Sequence, residues 1–134
     1  MSLMLAPGIL EEVVEHARKS LPLECCGLIV GSNGVGLSSI PMTNTLASIA
    51  AYDMDPAELI SVLRSLRESA QEMVAIYHSH PQGPAEPSAL DIERAFYPKA
   101  AHLIVSLADA QRPATRAFRI VDGQAFEVEV HAIV

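Results

Sequence analysis

Cysteine and positive charge are both scarce in this chain. Only two cysteines occur, adjacent at Cys25 and Cys26. Two neighbours make no disulfide framework and bridge each other only with strain, so reduced thiols in a cytoplasm are expected. Lysine and arginine total 9 against 16 acidic residues, for a net charge of −7. The few cations are scattered, which leaves no electrostatic footprint for a phosphate backbone. Nucleic acid and anionic membrane surfaces are excluded as partners on that ground.

Secretion and membrane signals are missing too. The N-terminus lacks a basic segment followed by an apolar one and reaches Glu11 and Glu12 early, so no signal peptide is read. Met1-Ser2-Leu3 ahead of Met4 reads as an appended remnant and is left out of the expected fold. No charge occurs between Glu24 and Asp53, but Gly31-Ser32-Asn33-Gly34, Ser38-Ser39, Pro41 and Thr43-Asn44-Thr45 interrupt that stretch. A membrane span needs about 20 predominantly apolar residues in a row. There is no internal repeat, low-complexity tract or linker.

What remains is a folding composition. The 134 residues are 50% hydrophobic and 19% charged, which suits one globular domain, residues 1–134, with a sizeable core. Leu10, Val13, Val14, Ala17 and Leu21 share a face of a helix expected from about Pro7 to Ser20, ended by Pro22. Strands are expected at Cys26–Val30 and Val35–Pro41, joined at Ser32-Asn33-Gly34. Asp55-Pro56-Ala57-Glu58 reads as a capping box with proline at the first helical position, and Leu59, Leu63, Leu66 and Ala70 follow as the buried face. A strand at Met73–Tyr77, a proline-rich loop to Pro87 and a short helix from Ser88 to Phe96 come next. Strands at Ala101–Leu107, Thr115–Val121 and Ala125–Ile133 complete the chain, the last two flanking Asp122-Gly123. Strands and helices mix without βαβ regularity, which predicts an α/β fold with a single mixed β-sheet and flanking helices.

The chemistry concentrates in residues 78–91. Residues two apart on an extended backbone point to one side, so His78 and His80 present two imidazoles together. Zinc takes imidazole nitrogen and carboxylate oxygen in tetrahedral sites, and Asp91 on the next helix offers a third ligand, leaving a fourth position for water. Each piece also has a structural reading. His-x-His suits a polar exit from the core, and Ser88-Ala89-Leu90-Asp91 suits a helix cap with an acid at the third position. Ser88 serves both only if its hydroxyl serves the helix end and the site together.

The whole pattern is more specific than its parts. His78-Ser79-His80, seven residues, Ser88, two residues and Asp91 resembles the JAMM (MPN-plus) metalloprotease motif with no departure in spacing. Leu21 to Gly31 is similar to the segment in which that family carries an upstream acid, here Glu24. The resemblance runs from the first helix through the motif helix and rests on strand order alone beyond about Leu107. It implies an MPN/JAMM, cytidine-deaminase-like domain with one Zn²⁺ per chain. His78, His80 and Asp91 would hold the metal, with water as fourth ligand. Glu24 would act as general base and then as acid toward the leaving amine, and Ser88 would steady the oxyanion.

The resemblance also implies a substrate. At this length the chain is similar to compact bacterial members that act on ubiquitin-like sulfur-carrier proteins of the ThiS/MoaD type. Those cleave after the carrier's C-terminal Gly-Gly and release an amino acid or short tail. A general isopeptidase, a small-molecule amidohydrolase and a non-catalytic MPN scaffold are the competing readings, the last disfavoured because every motif residue is present. Compact members often pair, so a homodimer is compatible. Cys25 and Cys26 read as small buried hydrophobes and Glu86 as a solvated acid, while Asn44 resembles the asparagine the family often places after its second strand and is otherwise a turn residue, left out of the site. His16 and His102 have no partner in the sequence.

Overall fold

The structure, a computed structural model, describes residues 2–133. Its elements in chain order are β1 (Ser2–Leu5), α1 (Ile9–Ser20), β2 (Cys26–Ser32), β3 (Val35–Met42) and α2 (Pro56–Ser69). Then come β4 (Glu72–His80), α3 (Ala89–Glu93), β5 (Ala101–Ser106), β6 (Ala114–Val121) and β7 (Gln124–Ala132). The strands form one mixed sheet in the order β1-β3-β2-β4-β5-β6-β7, and that sheet closes into a barrel. The expected α/β class with flanking helices holds.

Closure comes from residues left out of the expected fold. Ser2–Leu5 pairs in parallel with β7, Leu5 opposite Ala132, and in parallel with β3, Leu5 opposite Gly36. β1 thereby occupies both edges that the other strands would leave open. Leu3 and Leu5 are buried in the core, so this segment is part of the fold.

Alternation along the strands divides the interior. Cys25, Ile29, Ala75, Tyr77, Leu103 and Val105 pack with Ile9, Val13 and Ala17 of α1. The intervening Cys26, Leu28, Val30 and Ile76 pack toward Leu59, Val62, Leu63 and Leu66 of α2. This is the period-two rule applied to strands covered on both faces. His78 and His80 continue the Ile76 set, so both imidazoles emerge on the α2 side.

Local signals explain the element ends. Asn33 and Gly34 take φ of 54° and 76°, and Asp122 and Gly123 take 51° and 75°, which suits the tight turns joining β2 to β3 and β6 to β7. Asp55 caps α2 by accepting from Ala57 N and Glu58 N. The expected capping box is not completed, because the Glu58 carboxylate accepts from Thr43 N and Thr43 Oγ1 at 2.8 and 2.7 Å. That pair ties α2 to the end of β3. Near the motif the expected boundaries shift: β4 extends through His80, and α3 stops at Glu93 rather than Phe96. No helix among the described residues is long and apolar enough to cross a membrane.

Candidate metal centre

Four segments meet at the C-terminal end of β4. Cys26 of β2 pairs with His78 of β4. One step earlier Cys25 N donates to Ser79 Oγ at 2.8 Å, and Ser79 N donates to Cys25 O at 3.2 Å. Glu24 is thus carried to the histidines by the end of the β2–β4 ladder. α3 brings Asp91 over the same end.

The donor atoms converge. His78 Nε2 and His80 Nε2 lie 3.1 Å apart, and Asp91 Oδ2 lies 3.0 Å from the first and 3.1 Å from the second. Ligand atoms of a tetrahedral zinc with bonds of 2.0–2.1 Å stand roughly 3.3 Å from one another. A triangle of two imidazole nitrogens and one carboxylate oxygen therefore fits such a metal. A Glu24 carboxylate oxygen and the two histidines' ligand atoms also lie within 4.8 Å of one another. These residues make a group able to hold a metal ion.

Protonation supports the fit. His80 Nδ1 lies 2.8 Å from the Pro84 carbonyl. A carbonyl only accepts, so Nδ1 carries a proton, which leaves Nε2 as the nitrogen that a metal would take. Burial pushes His80 down, but hydrogen bonds to Asp91 and Pro84 and the charges of Asp91 and Glu24 outweigh it and leave its pKa raised. His78 is fully enclosed, and burial holds its pKa below the ordinary value despite Asp91. Burial would raise Asp91, but hydrogen bonds from both histidines and from Ser88 N hold it well below the usual carboxylate range.

Glu24 is 5% exposed, and its Oε1 is one of three buried side-chain atoms without a partner among the described residues. The others are His78 Nδ1 and His102 Nε2. Burial, with the Asp91 charge adding to it, lifts the Glu24 pKa to about 7 against the pull of His80. A buried carboxyl with an unpaired oxygen is placed to take and return a proton.

Ser88 Oγ accepts from Asp91 N at 3.0 Å, while Ser88 N donates to Asp91 Oδ2 at 2.9 Å, a complete capping box. The cap uses only a lone pair of Ser88, so its O–H is left to donate. The structural and chemical readings of Ser88 are thus compatible.

Several neighbours carry no local signal in the sequence. Tyr52 stacks on His78 with ring centroids 4.7 Å apart, which fixes the plane of a ring whose Nδ1 has no bond. Asn44 is more than a turn residue: its Nδ2 donates to Glu24 O and Ala51 O, and its Oδ1 accepts from Leu46 N and Asp53 N. Ser106 Oγ donates to Gly83 O at 2.6 Å and anchors the loop that carries Pro84. Glu86 is exposed, as expected of a solvated acid, and pairs with Arg116 at 3.1 Å. His16 meets Tyr77 Oη at 2.7 Å on the other side of the sheet. Cys25 and Cys26 are buried and unbridged, and burial pushes their thiols up to about 11 and about 12.

Comparison with known proteins agrees with this geometry. A family model described as prokaryotic homologs of the JAB domain matches residues 7–121. The CysO-cysteine peptidase of Mycobacterium tuberculosis is 35% identical over 133 residues, 98% of this chain and 91% of that protein. The desampylase of Haloferax volcanii is 34% identical over 111 residues, 78% of this chain and 80% of that protein. A solution structure from Desulfitobacterium hafniense superposes with a TM-score of 0.84 at 34% identity, covering 97% of this chain and 92% of the other. A JAB1/MPN domain protein from Archaeoglobus fulgidus shares the fold, with a TM-score of 0.63 at 21% identity and 97% and 98% coverage. The chain belongs to the prokaryotic JAB-domain family, in its compact JAMM form.

Proposed function

We propose that this chain is a zinc-dependent peptidase acting on a ubiquitin-like sulfur-carrier protein of the ThiS/MoaD type. It hydrolyses the bond after the carrier's C-terminal Gly-Gly and releases an amino acid or short tail. The observation that carries this reading is the 3.0–3.1 Å triangle of His78, His80 and Asp91 donor atoms beside the unpaired Glu24 oxygen. Residues 1–134 act as one catalytic domain. The substrate class is supported by the similarity to a CysO-cysteine peptidase over 98% of this chain.

In this reading His78, His80 and Asp91 would hold one zinc ion, with water as the expected fourth ligand. That ion would supply Lewis acidity and make a nearby water easier to deprotonate. Glu24 takes that proton on the oxygen that has no other partner and returns it to the leaving amine. Ser88 donates its O–H to the charge developing on the scissile oxygen, a contact whose loss typically costs on the order of 10²–10³ in rate. A diglycine tail has no side chains to exclude it from a narrow groove and can lie there extended.

A second reading, cleavage of isopeptide conjugates, is favoured by the 34% identity to a desampylase. One panel separates the two. The protein, purified without chelator, is assayed for zinc and then offered a carrier ending in Gly-Gly–cysteine and a carrier joined through Gly-Gly to a lysine side chain. We expect about one equivalent of zinc and preferential cleavage of the first substrate. Zinc below about half an equivalent would overturn the metal assignment. Preferential cleavage of the lysine conjugate would favour the second reading.

A further inference from the structure

A small cavity adjoins the metal centre at Asp91. Its volume is about 110 Å³, and Asp91 itself forms part of its wall. The remaining lining is mostly apolar, with Met54, Leu59, Leu90 and Tyr97 among its residues. A cavity of about 150 Å³ accepts benzene, so this one suits a side chain no larger than a few heavy atoms. His102 also lines it, and His102 Nε2 is buried without a partner among the described residues. Two charged groups besides Asp91 reach the cavity, Asp53 and Arg94.

Position and chemistry together say which part of a substrate belongs there. This step rests on the proposed cleavage after Gly-Gly. The two residues on the acyl side of that bond have no side chains, so an apolar cavity has nothing of theirs to hold. The third residue back in an extended tail stands at least roughly 7 Å along the chain, at about 3.3–3.6 Å per residue. The cavity begins at Asp91, whose Oδ2 is 3.0–3.1 Å from both histidine nitrogens. The residue on the amine side of the scissile bond is one step away and fits that placement.

Arg94 adds a requirement. It lies three residues beyond Asp91, where side chains of a helical turn are neighbours. Among the described residues its guanidinium has no hydrogen bond or ion pair, and it is the one lysine or arginine lining the cavity. Arg94 is exposed, so its guanidinium is free to meet an anion that enters the cavity. A single C-terminal residue supplies one, its free α-carboxylate, which a guanidinium can grip with two hydrogen bonds. A lysine side chain joined through its ε-amine places no carboxylate at that distance.

We infer that this cavity is the leaving-residue site, built for one small C-terminal amino acid whose free α-carboxylate is bound by Arg94. The enzyme then works as a carboxypeptidase on the carrier tail, and Arg94 sets that specificity.

The test uses the full-length, zinc-loaded protein and two substrates: the carrier ending in Gly-Gly–cysteine with a free carboxylate, and the same molecule as its C-terminal carboxamide. We expect kcat/KM to favour the carboxylate by about tenfold or more, the worth of one charge-assisted pair. That ratio should fall to near one in Arg94→Ala, recover in part in Arg94→Lys, and invert in Arg94→Glu. Calorimetric binding of the uncleaved carboxylate conjugate to metal-free protein should weaken by a similar factor in Arg94→Ala, without reference to turnover. Equal rates on the two substrates in the wild type would overturn the leaving-residue site while leaving cleavage after Gly-Gly intact. A preference that survives in Arg94→Ala would remove Arg94 from it. Cleavage of neither substrate would sink the proposed function, and this inference with it.

Discussion

The backbone N–H of Cys25 donates to Ser79 Oγ at 2.8 Å, with both residues buried. Ser79 sits between the two candidate metal-binding histidines, and Cys25 follows the candidate base. One short contact therefore couples the spacing of Glu24 to that of His78 and His80. Replacing Ser79 with alanine leaves a buried N–H without its acceptor, which costs about 1–3 kcal/mol. We expect Ser79→Ala to lower urea-unfolding stability by that amount and to reduce kcat while bound zinc stays stoichiometric. Lost zinc with unchanged stability would mean that the contact supports the histidines rather than the Glu24 strand end.

Asp91 has two duties that substitution can separate. Its Oδ2 stands 3.0–3.1 Å from both histidine nitrogens and also accepts from Ser88 N. Asp91→Ala should bind zinc below about a tenth of an equivalent after dialysis, since a site with only two protein ligands holds the ion poorly. Asp91→Asn keeps an oxygen for the helix cap but loses the negative charge. We expect it to retain the fold by circular dichroism while its zinc affinity falls about 10–100-fold, as a competitive chelator would read. Full zinc content in Asp91→Ala would exclude Asp91 as a ligand.

Glu24 gives the pH-dependent prediction. Burial lifts its carboxyl from an ordinary 4.5 to about 7 in the folded chain. Between those values the metal-free folded state holds a proton that the unfolded state has released, so its stability falls as pH rises from about 4.5 through 7. Glu24→Gln removes that titration. In chelator-treated protein the melting temperature of Glu24→Gln should match the wild type near pH 4.5 and exceed it increasingly up to pH 8. A constant offset across that range would show that burial does not perturb Glu24. In the zinc-loaded protein the same substitution should keep the metal and cost about 10²–10⁴ in kcat, the usual weight of a general base.

These tests rest on residues of unequal legibility. The period of a strand puts His78 and His80 on one side, while the roles of Ser88 and Asp91 are legible through the resemblance of the whole motif. Glu24 needed the family resemblance, since only the pairing of Cys26 with His78 brings it near. Tyr52 and His102 were out of reach as site neighbours. They arrive through a loop and through the pairing of His102 with Ile76, and no local pattern encodes those meetings. Glu58 followed the capping-box spacing yet bonds Thr43, a case of tertiary competition displacing a local motif. β1 was missed because Met1-Ser2-Leu3 reads as an appended remnant, and four residues whose partner strands both lie later in the chain show no period to correct that reading.

The role of β1 yields a stability test of that last point. Leu5 has no exposed surface and lies in register with Gly36 on one side and Ala132 on the other. Leu5→Ala removes buried methyl groups at the seam where the barrel closes, and such truncations cost about 2–5 kcal/mol. Ser2→Ala on the same strand changes an exposed side chain and should stay within about 0.5 kcal/mol. Urea unfolding of both variants, compared at equal m-value, reads the difference. A large loss in Leu5→Ala with little change in Ser2→Ala would place the N-terminal strand in the cooperative unit. If Leu5→Ala costs less than about 1 kcal/mol, closure adds little and the other six strands stand on their own.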